Sequence, residues 1–495
     1  MIKKFYQNNK VFYMILCLIA YFMVVHVVDL CFEINDIESI TALVICIFYV
    51  IMLKVITDKY VKEKKVDFQK IFIGIIVIGI IIRTAYILYT PITKRQHDME
   101  PDVGHLAYIK TIYDTGKLPD SNKWQFYQQP FHHILSALWL RANTFFGVEY
   151  EKAEESLQIL TAFYSCLTLL ISYLILKELN YDDTIKVAIL AVIAVHPTMI
   201  ILSGSVNNDM LMVLFVFTDL LYIIKWNKDP SWKNTIILAL SVAFGAITRI
   251  ASTIVAFPIL YIFINKFMKE FVPEKKSRKK IFIKYAKKFI VFGVISLSIG
   301  LSYSIRNYIK FNQSIFYVPD AGWLVYCGDR SIFERFFIIS KEFTRIFCNP
   351  YDDCNIYAYL IKCSLFGEFN LNYPDSPDRS LIVERLLIIF NILIISASIY
   401  SLIVALRKKE EKDTNTKMLM IFYFSELMMY LYGNISKPFA CTMDFRYIVP
   451  NLLIGLIFIA ENYKESYKPI ICASVIFCIL SLIFELSDLS LLIIL

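Results

Sequence analysis

The sequence predicts an all-α polytopic membrane protein of about 13 transmembrane helices, with juxtamembrane helices in its first large external loop. Three observations carry that expectation. The chain is 57% hydrophobic with a mean hydropathy of +0.56, outside the range of soluble globular domains. Its apolar runs repeatedly reach the roughly 20 residues that a helix needs to cross about 30 Å of hydrocarbon. Its Lys and Arg residues gather in alternate loops, the pattern that sets membrane orientation. The formal net charge of +8 therefore reflects topology, and no nucleic-acid partner is expected.

Taken in order, spans are expected at about 11–30, 39–57, 71–91, 156–177, 185–203, 209–226, 233–248, 251–267, 288–305, 382–406, 418–433, 446–461 and 469–487. All are read as helices, because lipid leaves no other way to pair the backbone of an isolated span. The first follows a basic Met1–Lys10 and lacks a small-residue cleavage site, so it reads as an uncleaved helix. Segment 131–147 decides the count. It is short for a span and carries His132, His133, Arg141 and Asn143. If it crossed, Lys266–Lys288, with ten Lys/Arg, and Arg407–Lys417, with five, would lie outside. Laid along the interface as an amphipathic helix, it leaves both clusters inside. Thirteen crossings follow, with a cytoplasmic N-terminus and an external C-terminus.

The expected organisation is two extra N-terminal transmembrane helices (1–69), a seven-helix module (70–306) with external loop 92–155, a long external loop (307–381) and a four-helix region (382–495). A loop as long as 307–381 is expected to be functional. Cys17, Cys46, Cys166, Cys472 and Cys478 fall in apolar runs and read as packing residues. Cys327, Cys348 and Cys354 share the long loop, where a disulfide between two of them is open if the loop faces an oxidising compartment.

This orientation gathers the non-basic polar residues on the outer side. Lys94–His133 holds four of the six histidines, His97, His105, His132 and His133, together with Asp98, Glu100, Asp102, Asp114 and Asp120. Asp98 stands just beyond a span, where a carboxylate between water and hydrocarbon can serve as a general base; a solvated loop aspartate is the plain alternative. Glu100 and Asp102 are weaker candidates, separated by Pro101. Leu106, Ile109, Ile112 and Tyr113 repeat with helical spacing, and Gly116 is a stop signal. Trp124, Phe126 and Tyr127 suit either headgroup anchoring or a platform for a sugar ring. Adjacent residues on a helix point about 100° apart, so at most one of His132 and His133 faces a site.

Asn207-Asn208-Asp209 either caps the helix that follows or supplies a second carboxylate. Arg249 and Arg306 stand near outer helix ends, where they either hold an anionic lipid phosphate or snorkel to ordinary headgroups. Arg83, Asp219 and Glu426 lie within spans and must face protein or a cavity, with structural pairing expected for Asp219. Asp98, Asp102 and His105 do not have a diagnostic metal-site spacing, and a divalent ion stays open.

On Arg95-Gln-His-Asp98, Gly104-His105-Leu-Ala-Tyr108, Leu118-Pro-Asp, Trp124 to His133, Asn207-Asn-Asp209 and Asp444-Phe-Arg-Tyr447, the chain resembles the GT-C membrane glycosyltransferases. That group includes the lipid A aminoarabinose transferases and the protein O-mannosyltransferases. The resemblance implies a polyprenyl-phosphate sugar donor, an envelope acceptor (glycan, lipid or protein) and an active site on the extracytoplasmic face. It implies catalytic roles for Asp98 in the first external loop and Asp209 in the second. Arg95, His97, His105, Tyr108, Trp124, Gln128, His132, His133, Asn207 and Asn208 would line the substrate site, and Arg249, Arg306 and Arg446 would meet the lipid phosphate. His97 precedes Asp98 where the O-mannosyltransferases carry an acidic pair, so neither sugar nor acceptor carries over. Lys362 to Glu368, in the long loop, would either shape the acceptor side or pack on the membrane.

Two other classes fit parts of the pattern. A transporter or flippase of a lipid-linked glycan needs polarity through to the inner face, and the inner halves of these spans are almost wholly apolar. An acyl or phosphoglycerol transferase needs a different nucleophile constellation, such as a cytoplasmic-side membrane histidine, which the sequence lacks.

Overall fold

A computed structural model describes residues 10–31, 67–94, 96–337, 353–367, 377–407 and 413–463, with four more between 474 and 479. The expected span 39–57, Arg95 and Cys348 lie outside the described residues. Every described element is helical, and the one extended pairing is an isolated antiparallel bridge between Tyr326 and Phe439.

In chain order the helices are α1 (Lys10–Cys31), α2 (Phe68–Tyr89), α3 (His105–Thr115), α4 (Phe131–Phe145), α5 (Tyr150–Glu155) and α6 (Gln158–Glu178). Then come α7 (Asp183–Val195), α8 (Pro197–Gly204), α9 (Asp209–Lys228), α10 (Trp232–Thr248), α11 (Ala256–Phe271), α12 (Arg278–Gly300) and α13 (Ser302–Phe311). The series ends with α14 (Ile332–Phe336), α15 (Ile356–Phe366), α16 (Pro377–Arg407), α17 (Thr414–Ser436) and α18 (Pro450–Tyr463).

Among the described residues, Phe68–Leu88, Tyr150–Glu178 and Ile250–Phe271 are long and apolar enough to cross a membrane, and three bent pairs would raise that number to six. Three expected spans are therefore corrected in shape, the one at 446–461 being bent by 55° where the turn ending at Ile448 meets α18. The one at 185–203 is broken between α7 and α8, because Pro197 cannot donate the helix hydrogen bond. The one at 288–305 begins ten residues earlier, at Arg278, and bends by 46° between α12 and α13. Hydropathy sees only the apolar part of α12, whereas its Lys/Arg-rich first turns are equally good helix formers.

The chain divides into two compact units. The first comprises residues 1–171 and 200–214. Its core joins Tyr108, Ile109 and Ile112 of α3 to Ala137 and Leu140 of α4, with Phe126, Ala153, Leu157 and Val206. Leu106 and Tyr113 pack on the margin of that core. Gly116 ends α3 in the left-handed region at φ 68°, its N–H donating to the Ile112 carbonyl. Arg141 of α4 donates to the last α3 carbonyls, 3.2 Å to Ile112 O and 2.7 Å to Tyr113 O, which would otherwise go unpaired. Arg83 is fully buried in α2, bonded to Ser165 Oγ at 2.7 Å and Gly79 O at 2.9 Å.

The second unit comprises residues 172–199 and 215–495. Gly300 allows α12 to lie against α10, since a Cβ there would stand 2.9 Å from Ala246 Cβ. Asp219 is fully buried, with Ser241 of α10 facing its carboxylate. In the long loop, Cys327 and Cys354 form a disulfide. Beside it, Lys362 of α15 pairs with Asp353 at 2.6 Å, both almost wholly buried. Lys362 is therefore held inside the loop's own packing. Cys327 N–H also donates to Pro438 O at 2.7 Å, tying the loop to the segment before Asp444. The bridge closes 27 residues, so Cys327→Ser is expected to cost about 3.5 kcal/mol through lost loop-closure restraint. The check is a lower Tm under oxidising conditions, with no further fall on adding reductant.

Candidate functional site

The external loop after α2 is built from backbone outward. Gln96 fixes its start: its Oε1 accepts from Val206 N–H and its Nε2 donates to Gly204 O, both at 2.8 Å. The loop carrying Asp98 is thereby bound to the one carrying Asn207, Asn208 and Asp209. Asp98 sits at φ 56°, a left-handed conformation that Asp and Asn tolerate better than most residues. Its carbonyl accepts the His105 N–H at 2.9 Å, and Glu100 O accepts Gly104 N–H at 2.8 Å. A Cβ at Gly104 would stand 2.5 Å from Glu100 N and 2.6 Å from Asp98 O, so this turn admits only glycine. The Asp98 side chain is half-buried.

A ladder of amides crosses the same region. Val103 O accepts Gln125 N–H at 3.1 Å. Gln125 Oε1 accepts from Gln128 Nε2, and Gln128 Oε1 accepts from Asn208 Nδ2 at 2.6 Å. The hydroxyl of Tyr108 donates to Gln128 O at 3.3 Å. Asn207 Oδ1 accepts the Asp209 N–H at 3.0 Å, so Asn207 does serve the start of α9 as a cap residue would. Asn208, in contrast, is spent on the ladder. Asp209 is 1% exposed in the first turn of α9, where a negative charge is favoured by the helix dipole.

Beneath lies an aromatic stack. His133 lies over Tyr108 with ring centroids 4.0 Å apart, and its Nε2 meets His105 Nδ1 at 2.9 Å. His132 diverges, with Ser136 Oγ 3.4 Å from its Nε2 and Tyr164 near its ring. The two adjacent histidines thus part as helical geometry requires, and His133 joins the loop. Burial drives His132 down to about 3 and His133 well below the usual imidazole value, with His132 adding to the second shift. Both are neutral hydrogen-bonding groups in the folded protein. Below about pH 6.5 an unfolded chain protonates them and the folded chain does not, so stability falls with falling pH, by up to about 1.4 kcal/mol per unit for each. Tm should therefore drop between pH 6.5 and 4.5, more shallowly in His132→Gln.

Glu100 was the weaker candidate by sequence, yet it belongs to this loop. Its carboxylate accepts Trp124 Nε1–H at 2.6 Å. Partial desolvation pushes it upward, and the Asp98 charge adds to that while hydrogen bonds oppose it. The signal was Trp124 itself, which needed an acceptor for its N–H. His97 is buried in the same loop. No group of three or more His, Cys, Asp or Glu suited to hold a metal occurs among the described residues, Asp98, Asp102 and His105 included.

In the second unit, two of the three arginines expected to meet a lipid phosphate come together. The guanidinium groups of Arg249 and Arg446 lie 4.9 Å and 5.0 Å from the centre of the Tyr447 ring. Arg446 also donates to the Tyr447 hydroxyl at 3.1 Å and stands 3.8 Å from Asp444. Arg306 is not part of this group; it lies over Tyr303 and Phe311 and donates to Asn307 Oδ1 at 2.8 Å. His196, which no motif in the sequence marks, is buried against Phe445.

Residues 138–296, about a third of the chain, match the family model described as dolichyl-phosphate-mannose-protein mannosyltransferase. The match includes Asp209 and Arg249 and leaves out Asp98 and Arg446. No curated protein sequence matches the chain. The solved structure of ArnT from Cupriavidus metallidurans in the apo state aligns at 11% identity and a TM-score of 0.37, over 80% of this chain and 77% of that one. That likeness is too slight to carry residues across. The resemblance to membrane glycosyltransferases is supported by that family match over residues 138–296, which contain Asn207-Asn-Asp209 and none of the other motifs.

Proposed function

We propose that the chain is a membrane glycosyltransferase that moves a sugar from a polyprenyl-phosphate donor to an envelope acceptor on the extracytoplasmic face, with inversion at the anomeric carbon. The reading includes thirteen crossings, a cytoplasmic N-terminus and α4 lying on the outer interface. The observation that carries it is the binding of the Asp98 loop to the Asn207–Asp209 loop through Gln96, the second loop lying within the stretch that matches a lipid-phosphate-sugar family.

Asp98 takes the proton of the acceptor nucleophile as that nucleophile bonds to the anomeric carbon. The bond from that carbon to the phosphate oxygen breaks, and the electron pair leaves with the lipid phosphate. A phosphate leaving group needs no proton, so one carboxylate base suffices for the displacement. Cations stabilise the charge that develops on it, the role that the resemblance gives to Arg249, Arg306 and Arg446. Asp209 is placed for electrostatic work, being buried at a helix start. Trp124, partly exposed, supplies aromatic surface for a sugar, while Gln128 and Asn208 are buried in the amide ladder that shapes the loop.

Transfer from a panel of radiolabelled polyprenyl-phosphate sugars tests the reading. Transfer from one of them, with the label recovered in an envelope fraction, supports it. Transbilayer movement of a lipid-linked glycan without transfer would replace the enzyme by a flippase.

A further inference from the structure

Helix α1 is not a detached anchor. Leu18, Phe22, Val25 and His26 form the buried face of α1, while Ile19, Met23, Val24 and Val27 are exposed. Tyr21 donates to Thr84 Oγ1 of α2 at 3.0 Å, and Phe22 meets Phe163 of α6 edge to face. Near the end of the helix, His26 Nε2 meets Asn143 Oδ1 of α4 in a buried hydrogen bond, and its ring lies 4.7 Å from that of Trp139.

The chemistry of this contact is one-way. Asn143 Nδ2 donates to Trp139 O at 2.9 Å, which leaves Oδ1 as the acceptor facing His26. The proton must then be on His26 Nε2. Trp139 is itself held, its Nε1 donating to Ser156 Oγ at 2.9 Å. Helix α4 is thereby pinned near both ends: His133 stacks on Tyr108 close to its start, and Asn143 is held by α1 close to its finish.

We propose that α1 is a positioning element of the transferase, and that His26 acts through Asn143 to hold α4, and with it His133 and the Asp98 loop, in register. This rests on the reading of the loop as the active site. It assigns to the N-terminal extension a role in catalysis that neither the family match nor the motifs assign.

The test uses the full chain in nanodiscs and reads amide hydrogen exchange, which needs no substrate. His26→Leu leaves Asn143 Oδ1 buried without its donor, a loss expected to open α4 locally about tenfold more often. Exchange in 131–145 and 105–115 should rise by that factor, while α10 stays as in wild type. His26→Gln, which retains a donor, should restore slow exchange. In an Asn143→Leu background, His26→Leu should add nothing. Unchanged exchange in His26→Leu, or a rise spread evenly over both units, would overturn the proposal. Where transfer is measurable, kcat should fall with the exchange and donor KM should hold, and a fall in stability with kcat intact would also overturn it. A wild type without transfer defeats the functional reading, whereas the exchange result still decides the coupling.

Discussion

Asp98→Asn is expected to lower kcat for sugar transfer by about 10²- to 10⁴-fold, the usual contribution of a positioned general base, with donor KM unchanged. The substitution keeps the backbone bond that holds the loop, since the His105 N–H donates to Asp98 O. Asparagine also tolerates the φ of 56° found there. The variant therefore removes a proton acceptor and keeps the turn. Thermal melting of the purified variant should match wild type. Turnover equal to wild type would take Asp98 out of the mechanism.

Gly104→Ala is expected to cost about 10²-fold in kcat, the effect of displacing a catalytic group by about 1 Å, and about 1–3 kcal/mol of stability through overpacking. A Cβ at this position meets three backbone atoms, Glu100 N, Asp98 O and Glu100 O, within 2.7 Å. Backbone cannot step aside as a flexible side chain does, so the turn opens and the Gly104-to-Glu100 hydrogen bond goes with it. Gly293→Ala is the control, because nothing lies within 4 Å of a Cβ there. Wild-type turnover in Gly104→Ala would mean that the geometry of this loop does not matter to the reaction.

The parts of the molecule legible in the sequence were those written locally. Gly116 announced the end of α3, and it stands there in the left-handed region. The apolar runs gave α2, α6 and α11 because lipid solubility is a sum over neighbours in sequence. The breaks at His196 and Leu301 were less visible, since hydropathy does not register a bend. Long-range pairings were hidden altogether. Nothing in the spacing of Gln96 and Gly204, 108 residues apart, says that an amide will join them. The same holds for Arg249 with Tyr447, and for His26 with Asn143, 117 residues apart. Arg306 had the same sequence credentials as Arg249 and lies over Tyr303 instead, because charge near a helix end fixes depth and not direction.

The most direct test of the account asks on which side of the membrane the chain emerges after α4. Lys123 precedes that helix and Glu151 follows it, and both are exposed. Single cysteines at Lys123→Cys and Glu151→Cys, probed with a membrane-impermeant maleimide on intact cells against the unmodified background, read the two ends. The account predicts that both label from outside without permeabilisation. Labelling of Lys123→Cys from outside, with Glu151→Cys reached only after the membrane is opened, would put α4 through the bilayer and contradict it.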